Sequence, residues 1–401
     1  MSTDMADLLS RAQALSPEFE AWRRDIHQHP ELGFDEHRTS ERVAEALQRW
    51  GYQVTRGLGG TGVVGQLRRG SGTRRLGLRA DMDALPITET SGLPHASRHA
   101  GVMHACGHDG HTAMLLAAAK LLAESGQFDG TLNLIFQPAE EGLGGALRMM
   151  QDGLFEQFPC DAVFAMHNMP GYPQGHLALR EGPAMASSDY VEITLQGVGG
   201  HGAMPHRAAD PVVAGASLVM ALQTVVSRNV DPLGMAVVTV GAFHAGQANN
   251  VIPETATLKL SVRALDRQVR SLLRERITAL AQAQAASFGC TAQVDYRDGY
   301  AVLVNTPAET ALAREVALAL AGPQQVTLQA PALPGSEDFA FMLEKVPGSY
   351  LLIGNGDGHD TDHPFAGHCA CMVHNPGYDF NDRNLVRGAA YWSLLAQRFL
   401  G

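Results

Sequence analysis

A dense group of possible metal ligands lies in the first third of the chain, in the run H-A-C-G-H-D-G-H at residues 104–111. Thiolate and imidazole groups bind zinc, cobalt, nickel and manganese ions to differing degrees. Cys106 and His108 are two residues apart on an irregular, glycine-rich turn, so both side chains can point into one cavity. The run therefore predicts a metal site around these two residues. The alternative is a loop of surface histidines that leads into a helix, with Cys106 buried and inert.

Two pairs of carboxylates could complete such a site. Asp81 and Asp83 stand just after an apolar run and could orient a ligand histidine or tune a metal-bound water. Glu140 and Glu141 are adjacent, and no Lys or Arg lies close by in the sequence to offset their repulsion. A metal removes this conflict if one Glu coordinates it and the other takes a proton from water. The alternatives are a turn in which Asp83 caps a helix and a solvated pair of loop glutamates.

Isolated histidines are weaker indicators, because a single histidine is more often structural than a ligand. His167 and His374 gain weight because they share a strand-end position with the carboxylates. The remaining histidines near the C-terminus are interpreted mainly as loop residues, and the nearby cysteines as ordinary packing: His359, His363, His368, Cys369 and Cys371.

Two further groups lie later in the chain. The run G-G-H-G-A-M-P-H at residues 199–206 places two histidines on a glycine-rich turn. Asn250 and Arg263 flank predicted strands, and an arginine beside an amide side chain suits a carboxylate. Their alternatives are a β-turn and a surface arginine. The run G-S-E-D-F at residues 335–339 is interpreted as a loop with Ser336 as a helix N-cap, and a role in a site stays open.

Short apolar runs that alternate with helices must position these groups. Strands are predicted at Leu76–Ala80, Leu132–Phe136 and Ala162–Met166, each directly before Asp, Glu or His, and a helix is predicted at His111–Ala123. This alternation is typical of an α/β sheet with helices on its faces. Because open α/β sheets bind ligands outside the carboxyl ends of their strands, the sequence predicts one site at that edge.

The chain pattern also predicts where helices begin and where domains divide. Ser16 as N-cap and Pro17 at the first helical position predict the start of an N-terminal helix. After residue 185 the pattern changes to four half-buried strands and two helices, and after Tyr300 the α/β pattern resumes. The sequence therefore predicts a larger domain at residues 1–185 and 300–401, interrupted by a smaller one at residues 186–299.

Composition and charge indicate which partners and which cellular compartment to expect. The 401 residues contain 30 Lys and Arg against 41 Asp and Glu, a formal net charge of −11, and the basic residues form no dense cluster. Nucleic acid and anionic membranes are therefore not expected as partners. No run approaches the ~20 apolar residues of a membrane span, and the N-terminus lacks the apolar core of a secretory signal. Five scattered cysteines do not suit a disulfide framework, so a cytoplasmic protein is expected.

Seven runs together resemble one known family. They are R-A-D-M-D-A-L-P, H-A-C-G-H-D-G-H-T-A, F-Q-P-A-E-E-G, G-G-H-G-A-M-P-H, N-N-V-I-P, G-S-E-D-F and H-N-P-G-Y-D-F-N-D. In this order, from Asp81 to Asp382, they are similar to the hippurate hydrolase and N-acyl-amino-acid amidohydrolase group. That group belongs to the dinuclear metallopeptidase superfamily, with aminoacylase and carboxypeptidase G.

The resemblance implies an α/β metallopeptidase-type sheet domain with an inserted α+β, ferredoxin-like domain that serves as lid and dimerisation surface. It implies two divalent metal ions with Cys106 as the bridge between them. The implied ligands are Cys106, His108, Glu141, His167 and His374. The wider superfamily has His-x-Asp where this chain has Asp81-Met82-Asp83, and it bridges the metals with Asp. Zinc, manganese, cobalt and nickel therefore all remain candidates.

The same resemblance implies roles in catalysis. Glu140 is implied as general base and acid, and Asp83 as the residue that orients a ligand. His201 is implied to stabilise the oxyanion, reaching into a partner subunit's site in a homodimer or higher homo-oligomer. The predicted substrate-binding residues are Asn250, Arg263 and His206, of which the first two are implied to bind the substrate's α-carboxylate.

The implied activity is metal-dependent hydrolysis of the amide bond of small N-acyl amino acids, hippurate-like or N-acetylated, to a carboxylic acid and a free amino acid. A dipeptidase or exopeptidase could use the same machinery with a different acyl-side pocket. A catalytically silent metal-binding protein is a hypothesis of another class. The Glu140-Glu141 pair argues against it, because a scaffold needs no base beside its ligand.

Overall fold

The computed structural model describes residues 5–125, 127–356 and 371–401. The chain forms two compact units. The first consists of Met1–Gly182, Val304–Pro331 and Phe341–Gly401, and the second of Pro183–Leu303 and Ala332–Ala340. The first unit is therefore discontinuous in sequence, because the chain leaves it after residue 182 and returns after residue 303.

The helices of the described residues range from single turns to more than twenty residues. They are α1 Met5–Gln28, α2 His37–Arg49, α3 His108–Ser125, α4 Gly145–Gln151, α5 Leu154–Gln157, α6 Pro211–Asn229, α7 Arg267–Ser287, α8 Pro307–Ala321, α9 Phe339–Leu343 and α10 Asn384–Leu400, with 3₁₀ turns at Pro205–Arg207 and Pro323–Gln325.

The strands of the described residues belong to one large sheet, one four-stranded sheet and two small ribbons. They are β1 Gln53–Leu58, β2 Gly62–Arg69, β3 Arg75–Asp81, β4 Gly130–Gln137, β5 Ala162–Pro170, β6 Leu177–Ala178, β7 Gly182–Met185, β8 Ser187–Gln196, β9 Gly200–His201, β10 Ala236–Ala245, β11 Val251–Ile252, β12 Thr255–Ala264, β13 Thr291–Asp298, β14 Leu303–Asn305, β15 Val326–Thr327 and β16 Gly348–Gly356.

The first unit is built on an eight-stranded mixed sheet in the order β1-β2-β4-β3-β5-β16-β6-β15. The consecutive strands β4, β3, β5 and β16 are parallel. Nearly every residue of β3, β4 and β5 is buried, as expected for parallel strands that are covered on both faces. These three strands contain the apolar runs that the sequence predicts, and the predicted α/β class is confirmed.

Helices α1, α3 and α10 pack against one another in the core of the first unit. Phe19 of α1, Leu115 of α3 and Trp392 of α10 are all buried in this core. Helix α3 is therefore held by a neighbour on each side. Because α3 begins at His108, this packing fixes the position of one predicted metal ligand.

The first helix differs from its prediction. Ser16 and Pro17 predict a helix start, but α1 is already helical well upstream, and Pro17 lies inside it. Leu8, Ala12 and Phe19 form one buried face that runs past the proline. Burial of this apolar stripe outweighs the backbone hydrogen bond that a proline cannot donate.

The second unit contains a four-stranded antiparallel sheet in the order β10-β12-β8-β13. Buried and more exposed residues alternate along β8 and β12, so one face of this sheet is covered. Helices α6 and α7 contribute the buried residues Leu218, Leu222, Leu273 and Ile277 to the same hydrophobic cluster. These four strands and two helices are elements that the sequence predicts.

Helix α6 is, within the described part of the chain, the one helix that is long and apolar enough to cross a membrane. Leu218 and Leu222 of this helix pack in the hydrophobic cluster of the second unit. A core helix of a compact unit meets the same criteria of length and composition.

Candidate metal centre

The carboxyl ends of β3, β4 and β5 meet at one edge of the first unit's sheet. Asp83 follows β3, and Glu140 and Glu141 follow β4. The sequence predicts that His167 follows its strand. In the structure it lies within β5, because the pairing of β5 with β16 continues beyond it. The sheet edge thus collects side chains from segments that are far apart in sequence.

The five predicted metal ligands come together in two overlapping groups. The possible ligand atoms of Cys106, His108 and His167 all lie within 4.8 Å of one another, and so do those of Cys106, Glu141 and His374. The Cys106 Sγ is 3.4 Å from Nε2 of His167. The Glu141 Oε1 is 3.1 Å from Nε2 of His374. Cys106 belongs to both groups, which is the placement that a bridging ligand needs.

His108 is oriented by Asp83. Its Nδ1 lies 3.1 Å from Oδ1 of Asp83, which fixes the ring and leaves Nε2 as the atom available to a metal. Burial opposes the charge on His108, but Asp81 and Asp83 raise its pKa to about 10, so a metal would have to displace a proton from this ring. The other oxygen of Asp83 accepts the backbone N–H of Glu141 at 2.9 Å. One carboxylate therefore connects a ligand histidine with the turn that carries the glutamate pair.

The donor atoms fit a divalent metal. Among the described residues, Nε2 of His108 and Oε1 of Glu141 are buried and make no hydrogen bond, although Oε1 lies 3.1 Å from Nε2 of His374. Burial, together with the nearby carboxylates of Glu141 and Glu140, raises the pKa of the Cys106 thiol well above its usual range. A bound cation would satisfy the unpartnered atoms and would stabilise the thiolate. Thiolate, imidazole and carboxylate together form a donor set that suits the later transition metals.

His167 is neutral and directed toward Cys106. Its Nδ1 donates to the backbone oxygen of Asn168 at 2.6 Å, which leaves Nε2 free to face the sulfur. Burial, and then the neighbouring His111, lowers the pKa of His167 well below its usual range. A neutral imidazole with a free Nε2 is the form that binds a metal.

Asp81 and His111 lie beside the site but are occupied by other partners. Asp81 contacts His111 Nδ1 at 2.6 Å through one oxygen and accepts from Arg79 at 2.7 Å through the other. His111 Nε2 accepts the backbone N–H of Asn168 at 2.9 Å. Both nitrogens of His111 and both oxygens of Asp81 are therefore in use. These residues support the site rather than offer ligand atoms to it.

Glu140 is buried next to the ligand groups. The ligand atoms of His108, Glu140 and Glu141 all lie within 4.8 Å of one another. The glutamate pair sits on a tight turn in which Ala139 has a φ of 53°, an uncommon value for a residue with a side chain. Such a turn needs support from outside.

The support comes from Glu36, a residue that the sequence analysis missed. Its Oε1 accepts the backbone N–H of Ala139 at 2.8 Å, and its Oε2 accepts the hydroxyl of Thr61. Burial, chiefly, raises the pKa of Glu36 to about 7, and the charge of Asp83 adds to the effect. The only signal in the sequence is an acidic residue one position before α2.

Helix α1 supplies two cationic groups behind the site. The Arg23 guanidinium lies 2.8 Å from Asp379 and 3.5 Å from Asp109, and all its side-chain surface is buried. His27 Nδ1 lies 2.8 Å from Asp109. Burial opposes the charge on His27, but Asp109 raises its pKa to about 9, so the imidazole is protonated at neutral pH. These contacts tie α1 to α3 and to the segment that follows His374.

His374 itself has an unusual backbone. Its φ is 70°, and its N–H donates to the backbone oxygen of Ala105 at 2.7 Å. The side chain is about half exposed, in contrast to the buried Cys106, His108 and His167. The segment bearing His374 therefore docks directly on the turn that carries Cys106.

The remaining predicted site residues lie in the second unit. His201 is in β9, and its Nδ1 accepts the N–H of Ala203 at 3.0 Å. Strand β9 pairs with β11, and the N–H of Gly202 donates to the backbone oxygen of Asn250 at 2.8 Å. His201 and Asn250 are therefore close together, and both are exposed, as is His206 in the 3₁₀ turn.

Arg263 lies on β12, and its guanidinium donates to the hydroxyl of Ser336 at 3.2 Å and to the backbone oxygen of Pro334. The prediction that Ser336 caps a helix is wrong. Helix α9 begins only at Phe339, whose N–H is accepted by the Glu337 carboxylate at 3.0 Å.

Four residues interpreted from the sequence fall outside the described residues: His359, His363, His368 and Cys369. Cys371 is a free cysteine, and it packs at the margin of the first unit's core.

Residues 77–398 match the profile of Peptidase family M20/M25/M40. The chain belongs to this family. A hippurate hydrolase of Campylobacter jejuni is 45% identical over 98% of this chain and 100% of its own length. Thermostable carboxypeptidase 2 of Saccharolobus solfataricus is 38% identical over 98% of this chain and 99% of its own. The resemblance found in the sequence is therefore confirmed.

The fold of the M20 family is equally evident in a solved structure. A Bacillus subtilis protein described as a dinuclear metal binding peptidase from M20 family is 32% identical, with a TM-score of 0.82 over 97% of this chain and 99% of that one. The metallopeptidase-type sheet domain predicted from the sequence is thus confirmed.

Proposed function

We propose that this M20 protein is a metal-dependent amidohydrolase that cleaves the amide bond of N-acyl amino acids, hippurate-like or N-acetylated. The observation that carries the proposal is the convergence of Cys106, His108, Glu141, His167 and His374 beside a buried Glu140. The name of the Campylobacter jejuni relative, hippurate hydrolase, supports this class of substrate. The products are a carboxylic acid and a free amino acid.

The five converging residues would hold two divalent ions, with Cys106 between them. Bound divalent ions supply Lewis-acid polarisation of the amide carbonyl and of the attacking water. The Bacillus subtilis neighbour, described as dinuclear metal binding, supports the number of ions. Zinc, manganese, cobalt and nickel all suit the donor set, which does not select among them.

Glu140 takes the proton from the attacking water and passes it to the leaving amine. Its position next to Glu141 and within reach of His108 supports this role, because a general base must stand beside the water that it activates. Asp83 orients His108 through their 3.1 Å contact, which would leave Nε2 of His108 available to hold an ion.

The second unit supplies the remaining roles, as a lid and dimerisation domain. His201 stabilises the oxyanion in the site of a second subunit of a homodimer or higher oligomer, and its exposure in β9 leaves it accessible for this. The exposed side chains of Val213 and Met220 on α6 support an assembled surface. The proposed substrate-binding residues are Asn250, Arg263 and His206. Asn250 lies just before the start of β12 and Arg263 near its end, so the two would bind one α-carboxylate only if they come from different subunits. The cytoplasm is the proposed compartment.

A second candidate is an exopeptidase that uses the same site. The thermostable carboxypeptidase of Saccharolobus solfataricus, which this chain matches along almost its whole length, favours it. The leaving amino acid could be the same for both activities. Only the group on the acyl side would differ.

One experiment separates these candidates and tests the base. The metal-free protein is reloaded with one defined metal at a time and given N-benzoyl, N-acetyl and N-aminoacyl derivatives of the same amino acid. We expect hydrolysis of the first two to exceed that of the dipeptide. The same assay on Glu140→Gln should lose about 10²–10⁴-fold in kcat, with metal content unchanged because Glu141 keeps the ligand role.

Preference for the dipeptide would shift the assignment to an exopeptidase. Near wild-type turnover by a fully loaded Glu140→Gln would remove Glu140 from the mechanism. Loss of all hydrolysis in a wild-type protein that binds its metals would leave a metal-binding protein without activity.

A further inference from the structure

Asn168 occupies the centre of the first unit's ligand segments. It follows His167 directly, and its side chain is fully buried. Its Nδ2 donates to the backbone oxygen of Cys106 at 2.6 Å, and its Oδ1 accepts the Tyr378 hydroxyl at 2.5 Å. A single amide therefore connects three segments: β5, the Cys106 turn and the segment that contains His374.

The backbone of Asn168 is engaged in the same way. Its carbonyl oxygen accepts from Nδ1 of His167 at 2.6 Å, and its N–H donates to Nε2 of His111 at 2.9 Å. Because the carbonyl holds the ring of His167, a rotation of the Asn168 peptide would turn a predicted ligand away from Cys106. Each polar group of Asn168 therefore forms a hydrogen bond that helps to hold a ligand or the segment that carries one.

Tyr378 is the anchor of the segment that bears His374. Its side chain is buried, and burial raises its pKa well above the usual range, so the hydroxyl is a permanent hydrogen-bond donor. Two backbone hydrogen bonds also hold the segment near His374: the His374 N–H donates to Ala105 O at 2.7 Å, and Pro376 O accepts from Thr90 N at 2.8 Å. Since His374 has a left-handed backbone, it needs such restraint from outside the segment.

Gly107 shows how tightly these groups fit. A Cβ at this position would lie 2.3 Å from Nδ2 of Asn168 and 2.5 Å from the Tyr378 oxygen. The turn between Cys106 and His108 therefore closes directly over the hydrogen bond between the amide and the hydroxyl. Displacement of either group would displace this turn.

We propose that Asn168 and Tyr378 form a positioning pair that sets the geometry and the affinity of the metal site. Neither residue belongs to the proposed ligand set, and both act through Cys106, His167 and His374. The proposal rests on the metal-binding part of the proposed function and is independent of which amide the enzyme cleaves. A pair that served packing alone would contribute to stability without affecting the metal.

The test compares Tyr378→Phe with a matched control, Tyr391→Phe. Tyr391 is also fully buried in the first unit and donates to a backbone oxygen, that of Ala313 at 3.1 Å, but this hydrogen bond leads to α8 and not to a ligand segment. Each change removes one oxygen. Cobalt(II) affinity is measured by competition with a chelator, the visible spectrum reports the thiolate–cobalt charge transfer, and thermal unfolding of the metal-free proteins reports stability.

We expect Tyr378→Phe to weaken cobalt binding by about tenfold or more and to change the charge-transfer band. Tyr391→Phe should lower the unfolding temperature without affecting either metal signal. Equal affinity and an unchanged spectrum in Tyr378→Phe would overturn the proposal. If this variant does not fold, Asn168→Ser, which leaves the tyrosine in place, should weaken binding in the same way, and unchanged binding there overturns the proposal equally.

The wild-type protein separates this proposal from the proposed function. A wild type that binds no cobalt contradicts the metal centre itself. A wild type that binds cobalt but hydrolyses no N-acyl amino acid contradicts the amidohydrolase assignment and leaves the positioning pair testable.

Discussion

Two buried carboxylates in the first unit have opposite ionisation behaviour, because different groups face them. Burial disfavours the charge on Asp81, but His108, Arg79 and His111 together hold its pKa well below the usual range. Glu36 has no cation beside it in the described structure, only a hydroxyl and a backbone N–H, and burial raises its pKa to about 7. The first carboxylate is therefore charged in the folded protein and the second is largely neutral at pH 6.

Replacement of Glu36 by Gln tests this difference. The folded pKa of about 7 lies above the ordinary pKa of 4.5 for a glutamate, so the folded state binds more protons and stability falls as pH rises from 4.5 through 7. Gln mimics the protonated acid, because its amide can donate to Thr61 and its oxygen can accept from Ala139. We expect the metal-free variant to gain stability relative to wild type as pH rises, by at most about 3 kcal/mol above pH 7.

Urea unfolding of both metal-free proteins at pH 5 and at pH 8 measures this gain. The comparison cancels the titration of every other group, since all are shared. A stability difference that is the same at both pH values would show that Glu36 does not titrate in this range.

At the residue scale, the sequence predicts groups whose chemistry is visible in their own type and spacing. Cys106, His108 and the glutamate pair are of this kind. Glu36, Asn168 and Tyr378 are not, because their partners lie far away in the chain and become neighbours only in the folded unit. An Asn or a Tyr has no pattern that marks it as a support for a ligand.

Among the elements, the turn before α3 has little space for a side chain at its glycine. Gly107 has a φ of 89°, and an added Cβ would meet Asn168 at 2.3 Å. Gly51, after α2, has nearly the same φ of 87°, but an added Cβ would meet nothing within 4 Å. The two glycines differ in surroundings and not in backbone.

Alanine substitutions at Gly51 and Gly107 therefore separate the backbone cost of a positive φ from the steric cost of the added Cβ. Gly51→Ala should lose about 1–2 kcal/mol of unfolding free energy, which is the cost of a left-handed residue with a side chain. Gly107→Ala should lose more, because the Asn168–Tyr378 hydrogen bond must move, and its cobalt affinity should fall as well. Chemical unfolding of the metal-free proteins measures both costs. Equal losses would mean that the contact at Gly107 relaxes freely.

Prediction of elements succeeded where a single physical factor dominated. The buried parallel strands β3, β4 and β5 are continuous apolar runs, and β8 alternates because one face of it is covered. No sequence pattern predicts β1 and β2, since both are partly polar and each contains a glycine, Gly57 in β1 and Gly65 in β2. The capping signals at Ser16 and Pro17 predict the wrong start for α1, because the burial of Leu8 and Ala12 extends the helix upstream of them.

For the molecule as a whole, the separation into two hydrophobic cores has a thermodynamic consequence. All five proposed ligands belong to the first unit, and Leu273 is fully buried in the core of the second. Metal should therefore stabilise one core directly, by about 4 kcal/mol when its free concentration is about 1,000 times Kd. Leu273→Ala should weaken the other core by about 2–5 kcal/mol.

Scanning calorimetry with and without metal detects these effects as two transitions. We expect metal to raise one transition and Leu273→Ala to lower the other. A single transition that responds to both changes would show that the two cores unfold as one cooperative unit.

The sequence indicates only part of the division of the chain between the two units. The change of pattern near residue 185 and the return near residue 300 are visible in the sequence. The second unit also includes Ala332–Ala340, which no periodicity assigns to it. That segment joins the unit through contacts such as Arg263 with Ser336, which depend on the finished fold.

The discontinuity of the first unit also imposes an order in time on a ribosome. Strand β5 pairs along its length with β16, yet β16 is synthesised only after the whole of the second unit. At typical synthesis rates of about 5–20 residues per second, the edge of β5 that pairs with β16 stays unpaired for on the order of ten seconds. The continuous stretch Pro183–Leu303 can collapse during that interval, while the unpaired edge of β5 stays open to pairing with other chains. His374 leaves the ribosome last of the five ligands, so no fragment released early would carry a complete hydrolytic centre into the cell.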